Sequence, residues 1–287
     1  MFLSRRIYLK YKMTKVKEKD NHRFQIAIPS YRRSQLIGEK TLATLSRHSI
    51  PPSCITIFVA NQTEYADYSS AVPSNLYQKI VIGELGLRNQ RNFITRYYPA
   101  GTHLVQMDDD LDEIVILQGW QALAKGNRRT LKKQRRLVPI PDLNQFILDA
   151  FTLCQEKNIY LWGIYPVANS YFMAPVVRTD LQFIVGPFWG CINRHDDKLA
   201  ITLDEKENVE RSLLYYTKDG GVIRFDYVSI ITRYYRTPGG MQNSQNKNKR
   251  KRNAATSASI LHKRYPNLTK IKTRKNGRTE IVFKQPK

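Results

Sequence analysis

Residues 102–110, THLVQMDDD, carry an apolar run directly into three consecutive aspartates. A short apolar run that follows a Pro and Gly turn is typical of a buried strand, so we predict a strand over residues 102–107. The three aspartates then lie at the carboxyl end of that strand. This junction is the first candidate for a functional site.

The residues before this strand predict alternating strands and helices. Strands are predicted at 24–29, 54–61 (CITIFVAN) and 79–83 (KIVIG), and helices at 33–48 and 86–98. This alternation indicates the α/β fold class with a mainly parallel central sheet. Ligands bind outside the carboxyl ends of the strands in such sheets, so residues 29–33 and 108–110 are expected at one edge.

The rest of the chain predicts further elements around an exposed basic loop at 118–141. After that loop, a helix at 142–156 is expected to begin with Asp142 as its cap. Further predictions are strands at 159–173, 183–194 and 221–236, helices at 207–220 and 260–265, and a hairpin that turns at Asn276-Gly277.

The positive charge of the chain is concentrated in three segments. The 287 residues include 47 Lys and Arg against 24 Asp and Glu, a formal net charge of +23. Residues 1–23, 125–136 and 233–287 carry +6, +7 and +15, which leaves −5 for the remainder. We predict a flexible basic arm at 1–22, a globular domain at 23–240 and a basic C-terminal extension at 241–287 that contacts nucleic acid. This balance favours a polyanionic partner, with nucleic acid first and an anionic membrane second.

Several classes of protein are excluded by what the sequence lacks. No stretch approaches the roughly 20 apolar residues that span a bilayer. The first residues, MFLSRRIYLKYKMTKVKEKD, lack the apolar core of a signal peptide, so we expect an intracellular protein. The three cysteines are too few and too scattered for a disulfide framework or a zinc finger.

The stretch QMDDDLDEI concentrates five acidic residues within six positions. Like charges this close repel one another unless a cation offsets them. In an extended chain, Asp108 and Asp110 project to one side and Asp109 projects to the other. Two carboxylates on one side suit a hard divalent cation such as Mn²⁺ or Mg²⁺. The alternative is a solvated acidic turn or a helix N-terminus without a metal.

Four stretches in a fixed order resemble a known family. They are IAIPSYRR (26–33), IFVANQTE (57–64), GLRNQRNFI (86–94) and LVQMDDDLDEI (104–114). In their order and spacing, these stretches resemble the TET/JBP-associated glycosyltransferases. This family includes the base J glucosyltransferase and has a GT-A-like fold that binds nucleotide sugars. The resemblance covers residues 23–240. It implies transfer of a sugar, glucose first, from a UDP-sugar to the hydroxyl of a 5-hydroxymethylpyrimidine in DNA, with the base flipped out or single-stranded.

The resemblance also implies roles for individual residues. Asp108 and Asp110 match the metal-binding carboxylates that would hold Mn²⁺ or Mg²⁺. Tyr31 would stack on the uracil, Arg32 would face a phosphate, and Trp189 would wall the sugar or stack on an extruded base. Contacts to the UDP-sugar are expected from Pro29, Tyr31, Arg32, Glu64, Arg88, Arg91, Asn92, Asp108 and Trp189.

One departure from the family pattern concerns the catalytic base. Inverting enzymes of this fold commonly present a Glu-Asp pair at the start of a helix, whereas this chain reads Lys206-Glu207-Asn208. Glu207 remains as the expected general base for an inverting transfer, because a base need only be ionised and within hydrogen-bond reach. The alternative is a carboxylate that stabilises the helix dipole.

Other function classes remain open from the sequence. The protein could be a glycosyltransferase for a protein or polysaccharide acceptor, with the basic segments serving localisation. The acidic cluster could instead serve a metal-dependent nuclease, and Asn208 is compatible with a binding module without chemistry. A DNA acceptor would place the protein in the nucleus of a eukaryotic host or in the cytoplasm of a phage or bacterial setting.

Overall fold

The computed structural model describes residues 24–119, 135–232, 239–240, 247–274 and 279–284. The predicted basic arm at 1–22 lies outside the described residues, as does the centre of the basic loop. The strands are β1 (Gln25–Pro29), β2 (Ile55–Val59), β3 (Lys79–Ile82), β4 (His103–Met107), β5 (Leu111–Leu117), β6 (Leu137–Pro139), β7 (Leu161–Ile164), β8 (Val177–Arg178), β9 (Phe188–Ile192), β10 (Ile223–Phe225), β11 (Val228–Thr232), β12 (Thr269–Thr273) and β13 (Thr279–Phe283).

The helices cover both faces of the main sheet. They are α1 (Ser34–Ile37, continued by the π-helical turn Gly38–Leu42 and by Ala43–Arg47), α2 (Gln62–Ala71), α3 (Leu87–Tyr97), α4 (Leu143–Lys157), α5 (Glu207–Asp219) and α6 (Lys247–Arg264). None of the helices in the described part of the chain is long and apolar enough to cross a membrane.

The central sheet contains eight strands in the order β3-β2-β1-β4-β9-β7-β10-β8. Strands β1, β2, β3 and β4 are mutually parallel, and β7 is parallel to β10. Strand β9 is antiparallel to both β4 and β7, so β7 and β10 run in the same direction as β4. The prediction of an α/β protein with a mainly parallel central sheet is confirmed.

Strand β1 shows how the sheet divides the core into two layers. Ile26 and Ile28 point to the face covered by α1, α2 and α4, whereas Ala27 points to the face covered by α3 and α5. All five residues of β2 are buried, as predicted for a strand covered on both faces. This arrangement leaves the carboxyl ends of β1, β2, β4, β7 and β10 at one edge of the sheet.

The predicted long strand at 221–236 is broken in the structure. The chain leaves the central sheet after β10, turns at Asp226-Tyr227, and enters a second sheet of order β11-β5-β6. Asp226 is buried between the guanidiniums of Arg178 and Arg224, each with an N–O distance of 2.6 Å. The continuous apolar pattern gave no sign of this turn, because both halves of the run are buried, each in a different sheet.

Other differences concern the extent of elements. Helix α2 was not predicted, because QTEYADYSSA carries no apolar stripe and buries only Glu64 and Tyr68. The predicted loop at 118–141 contains β6, and the predicted strands at 159–173 and 183–194 shorten to β7 and β9. Asp142 does cap α4, since its carboxylate accepts from the Gln145 amide at 2.8 Å.

The C-terminal extension packs on the domain through helix α6. Helix α6 is longer than the predicted helix at 260–265, and Leu261 within it is fully buried. Arg264 pairs with the buried Glu210 of α5 at 2.9 Å. Strands β12 and β13 pair antiparallel as predicted, while the predicted turn at Asn276-Gly277 lies outside the described residues.

Two glycine substitutions test the packing of the sheet. A Cβ on Gly190 of β9 would lie 2.5 Å from the buried ring of Trp162 on β7, so Gly190→Ala should lower the free energy of unfolding by about 1–3 kcal/mol. A Cβ on the helical Gly38 would meet nothing within 4 Å, so Gly38→Ala should leave stability unchanged or raise it by about 0.5–1 kcal/mol. Urea unfolding measures both, and equal midpoints for the two variants would contradict the described packing.

Candidate functional site

The ends of β1 and β4 are tied together by the carboxylate of Asp109. Its Oδ2 accepts from Ser30 Oγ at 2.5 Å, and its Oδ1 accepts from Arg33 Nη1 at 2.6 Å. Burial raises the pKa of Asp109 from the ordinary 3.8 to about 6, although Arg33 and Ser30 act in the opposite direction. As predicted from the strand directions, the segments at 29–33 and 108–110 meet at one edge.

Tyr68 of α2 adds a third side chain to this hydrogen-bonded group. Its hydroxyl lies 2.6 Å from Ser30 Oγ and accepts from the Arg33 amide at 3.0 Å. Sequence reasoning singled out Arg32 and missed Arg33, Ser30 and Tyr68. The signal for Arg33 was only its place in the Arg-Arg pair after β1, because nothing in the sequence says which of the two side chains turns inward.

Asp108 and Asp110 lie on either side of this buried carboxylate and are more accessible. The side chain of Asp108 is 32% exposed, and its Oδ1 accepts from Arg91 Nη2 at 2.7 Å. Asp110 lies 3.3 Å from Arg33 Nη1 and accepts from the Thr232 hydroxyl at 3.2 Å. Burial raises the pKa of Asp110, and the negative charge of Asp108 raises it further. The two residues predicted to bind a metal are therefore close enough to repel each other.

Among the described residues, Asp108 and Asp110 are not part of a larger group of side chains placed to bind a metal ion. Across the part of the chain that the structure describes, no group of three or more His, Cys, Asp or Glu side chains is placed to hold a metal ion. Magnesium and manganese commonly complete their coordination with water and phosphate oxygens, so two carboxylates can suffice in the presence of a phosphate ligand.

Arg91 of α3 connects the aspartates to the opposite wall of the site. It is buried, and its Nη1 donates to Gln106 of β4 at 3.0 Å. Its Nη2 donates to Asp108 and also to the carbonyl of Gly186 at 3.2 Å, in the loop that enters β9. Arg91 thus joins β4 to the segment that faces α5.

Glu207, the predicted base, lies just beyond that segment. It is the first residue of α5 and is buried. Its Oε1 lies 3.4 Å from where a Cβ on Gly186 would stand, so the Glu207 carboxylate is a direct neighbour of Gly186. Burial raises the pKa of Glu207, while the charges of Arg211 and Arg91 lower it. A chain of contacts through Arg91 and Gly186 therefore runs from Asp108 to Glu207.

Arg211, one helical turn after Glu207, is the main residue that sequence reasoning missed. It is buried, and none of its three guanidinium nitrogens has a hydrogen-bond partner among the described residues. Burial and the charge of Arg91 lower the pKa of Arg211 to about 9. Its spacing of four from Glu207 on a helix was a usable signal, because such side chains share one face.

Trp189 supports these arginines. The guanidinium of Arg211 lies 3.8 Å from the Trp189 ring centroid, and that of Arg91 lies 5.7 Å away. The ring is only 2% exposed, so in this conformation it is not open to a sugar or a base as its predicted role requires. Its position on the central strand β9 places it in the core, where it stacks with cations instead.

The predicted donor residues after β1 and β2 come together. Pro29 ends β1, and the exposed guanidinium of Arg32 lies 5.0 Å from the ring centroid of Tyr31. The amide of Arg32 donates to Glu64 Oε2 at 2.8 Å, and Arg32 adopts a left-handed backbone with φ of 54°. Tyr31, Arg32 and Glu64 therefore line one part of the edge, beside the aspartates.

Arg88 and Asn92 of α3 contact the segment that leads to Glu207. Asn92 Nδ2 donates to the Ile201 carbonyl at 2.8 Å, and its Oδ1 accepts from the Ile201 amide at 2.9 Å. Arg88 donates to the Thr202 carbonyl at 3.0 Å and pairs with Asp204 at 3.2 Å. These contacts hold residues 201–204 in place, and contacts of both side chains to a UDP-sugar stay a prediction.

Comparison with known proteins adds little to this geometry. No family model matches the chain, and no curated protein sequence matches it. Among solved structures, the chain is similar to a mycobacterial protein at 9% identity and a TM-score of 0.47, over 92% of this chain and 82% of that chain. Likeness at this level carries no argument about function.

The buried carboxyl of Asp109 should make stability depend on pH. Because its pKa is about 6 in the folded protein and 3.8 is its ordinary value, the folded state binds this proton more tightly. Relative to Asp109→Asn, the free energy of unfolding of the wild-type protein should rise by up to about 3 kcal/mol as pH falls from about 7 to about 4. Urea unfolding of both proteins measures the difference, and a difference that falls with decreasing pH would contradict the raised pKa of Asp109.

Proposed function

We propose that the protein is a metal-dependent glycosyltransferase with a GT-A-like fold. It transfers a hexose, glucose first, from a UDP-sugar to the hydroxyl of a 5-hydroxymethylpyrimidine in DNA, with inversion. One observation carries the proposal: the buried carboxylate of Glu207 and the acidic pair Asp108 and Asp110 lie at one site, linked through Arg91 and Gly186. A base and an acidic cation site at one sheet edge are the groups that inverting sugar transfer needs.

The donor set after β4 fits Mn²⁺ or Mg²⁺. Asp108 and Asp110 offer hard oxygen ligands and are more accessible than Asp109, which is buried against Ser30 and Arg33. A bound cation would compete with the contacts of Arg91 to Asp108 and of Arg33 to Asp110. The repulsion between Asp108 and Asp110 is one that a divalent cation would relieve. A metal ion held by these two carboxylates would neutralise charge on the diphosphate leaving group.

Glu207 is the proposed general base. The acceptor hydroxyl oxygen forms a bond to the anomeric carbon as the bond from that carbon to the diphosphate breaks, and the hydroxyl proton passes to Glu207. The carboxylate must be ionised to accept it, and burial opposes ionisation. Arg211 and Arg91 counter that effect, so we assign them as positioning residues. Asn208 has no basic oxygen and instead accepts from the Val209 amide at 2.9 Å.

The charge distribution supports DNA as the acceptor. A body of charge −5 carries a C-terminal extension whose exposed residues include Lys270 and Lys272 on β12. Backbone contacts of this kind should make binding fall steeply with salt and depend little on sequence. A base within a duplex does not reach a site at a sheet edge, so the acceptor base would be flipped out or single-stranded. This function would place the protein inside the cell with DNA.

Sugar transfer to DNA tests the proposal directly. Hydroxymethylated DNA is incubated with the protein, Mn²⁺ and a panel of UDP-sugars, and mass spectrometry is expected to show hexose added to the modified base. Asp110→Ala and Glu207→Gln should each lower the rate by about 10²–10⁴-fold. Asp112→Asn is the matched control, because this neighbouring carboxylate pairs with Lys40 and should be dispensable.

Each other result would overturn a defined part of the proposal. Transfer by Asp110→Ala at the wild-type rate would exclude the metal assignment. Transfer to a protein or polysaccharide but not to DNA would replace the acceptor. Cleavage of DNA with Mg²⁺ and no sugar transfer would favour a metal-dependent nuclease.

The role of Arg211 is tested by the pH dependence of kcat/KM. Removing its charge in Arg211→Met should raise the pKa of Glu207, so the acid limb of the profile should move up by about one pH unit or more. Arg211→Lys should restore most of the wild-type profile. Arg194→Met is the matched control, because Arg194 pairs with Asp219 at 2.8 Å and its loss should lower stability without moving the limb. An unchanged limb in Arg211→Met would exclude the positioning role.

A further inference from the structure

The loop between β7 and β8 exposes a pair of aromatic rings to solvent. Tyr171 is 71% exposed and Phe172 is 60% exposed, and Val167 nearby is also exposed. The two rings contact each other edge to face, with centroids 5.0 Å apart. We call residues 165–174 the aromatic loop. Large apolar side chains that stay exposed side by side mark a surface that meets a partner.

The aromatic loop leaves the sheet on the same side as the candidate site. Strand β7 runs in the direction of β4, so the residues that follow β7 and the aspartates that follow β4 share one edge. The Tyr165 amide donates to Val228 at 2.9 Å, and the Ala174 amide donates to Asp226 at 3.1 Å. Both ends of the loop are thereby fixed to the segment that crosses between the two sheets.

The tip of the loop is held in one shape by its own hydrogen bonds. Asn169 Oδ1 accepts from the Tyr171 amide at 3.0 Å, and the Asn169 carbonyl accepts from the amides of Phe172 and Met173 at 3.0 and 3.1 Å. Met173 is buried in the main core and anchors the tip. The rings are therefore presented by an ordered turn, which lowers the entropic cost of binding.

Arginine side chains contact the tip of the aromatic loop and the segment to which its base is fixed. Arg135 Nη1 donates to the carbonyls of Tyr171 and Met173 at 3.3 and 3.4 Å, and Arg136 beside it is exposed. At the base of the loop, Arg178 and Arg224 share the single carboxylate of Asp226. Positive charge therefore lies at the turn that carries the two exposed rings, through Arg135, and at the fixed base of the loop, through Arg178 and Arg224.

We propose that the aromatic loop is a stacking platform for unpaired nucleobases of the acceptor strand. Tyr171 and Phe172 would stack on bases beside the one that enters the site, and the neighbouring arginines would contact the phosphates. Exposed aromatic rings combined with Arg side chains are suited to single-stranded nucleic acid, because every base has a π face and every linkage carries a charge. The proposal rests on the proposed nucleic-acid acceptor and names the surface that receives it.

Binding of labelled single-stranded DNA to the full chain, followed by fluorescence anisotropy, tests the platform. Tyr171→Ala/Phe172→Ala should weaken binding by about tenfold or more, since the stacking of bases on both rings is lost. The dependence of the binding constant on salt should not change, because no charge is lost. Leu85→Ala is the matched control, because Leu85 is also an exposed apolar side chain, 57% exposed, and lies before α3. This variant should bind single-stranded DNA as tightly as the wild-type protein does.

Two further variants separate stacking from other uses of an apolar surface. Tyr171→Leu/Phe172→Leu keeps the surface apolar but removes the π faces, so it should bind single-stranded DNA as weakly as the alanine pair. Arg136→Ala should weaken binding and lower the salt slope by about one. Urea unfolding of each variant excludes loss of the fold as the cause.

The inference is overturned if the alanine pair binds single-stranded DNA within twofold of the wild-type protein. It is also overturned if the leucine pair binds as well as the wild-type protein, or if the rings bind neutral lipid vesicles and not DNA. Binding needs no UDP-sugar, so ring-dependent binding without any sugar transfer would remove the proposed reaction and leave the platform. If Tyr171→Ala/Phe172→Ala transferred sugar with an unchanged KM for DNA, the proposed reaction would stand and the stacking platform would be excluded.

Discussion

The buried carboxylate of Asp109 is the interaction on which the site depends. It accepts hydrogen bonds from Ser30 and Arg33, so it joins the end of β1 to the end of β4 at the centre of the sheet. A buried charge is costly unless its oxygens are satisfied, and this need fixes how the two strand ends meet. Its neighbours Asp108 and Asp110 also accept hydrogen bonds, from Arg91 and Thr232, but their side chains are more accessible than that of Asp109.

A second balance of charge organises the opposite wall. Glu207, Arg91 and Arg211 are all buried. Burial raises the pKa of Glu207 while the two arginines lower it, and burial and the charge of Arg91 lower the pKa of Arg211. Stacking on Trp189 supports the guanidinium of Arg211, whose nitrogens have no hydrogen-bond partner among the described residues. The result is a carboxylate buried beside positive charge, and groups with shifted pKa values of this kind are candidates for a functional site.

The parts that sequence reasoning could reach are those with a local signal. A few neighbouring residues are enough to predict the buried strands β2 and β4, the helix cap at Asp142 and the acidic cluster at 108–110. Helix α2 and the turn at Asp226-Tyr227 do not, because one lacks an apolar stripe and the other interrupts a run that is buried on both sides. Trp189 shows the same limit, since an aromatic between two glycines fits either a wall or a core.

The sequence by itself determined the α/β class, the mainly parallel arrangement of the strands and the position of the acidic cluster at the carboxyl edge of the sheet. These features follow from the spacing of apolar residues along the chain, from the turn residues between the apolar runs and from the geometry of parallel strands. Only the tertiary structure decided which carboxylate is buried and which arginine pairs with it. It also stacked Arg211 of α5 on Trp189 of β9 and placed the aromatic loop at the same edge. Such pairings join residues far apart in the chain, and their energies depend on burial, which no local pattern records.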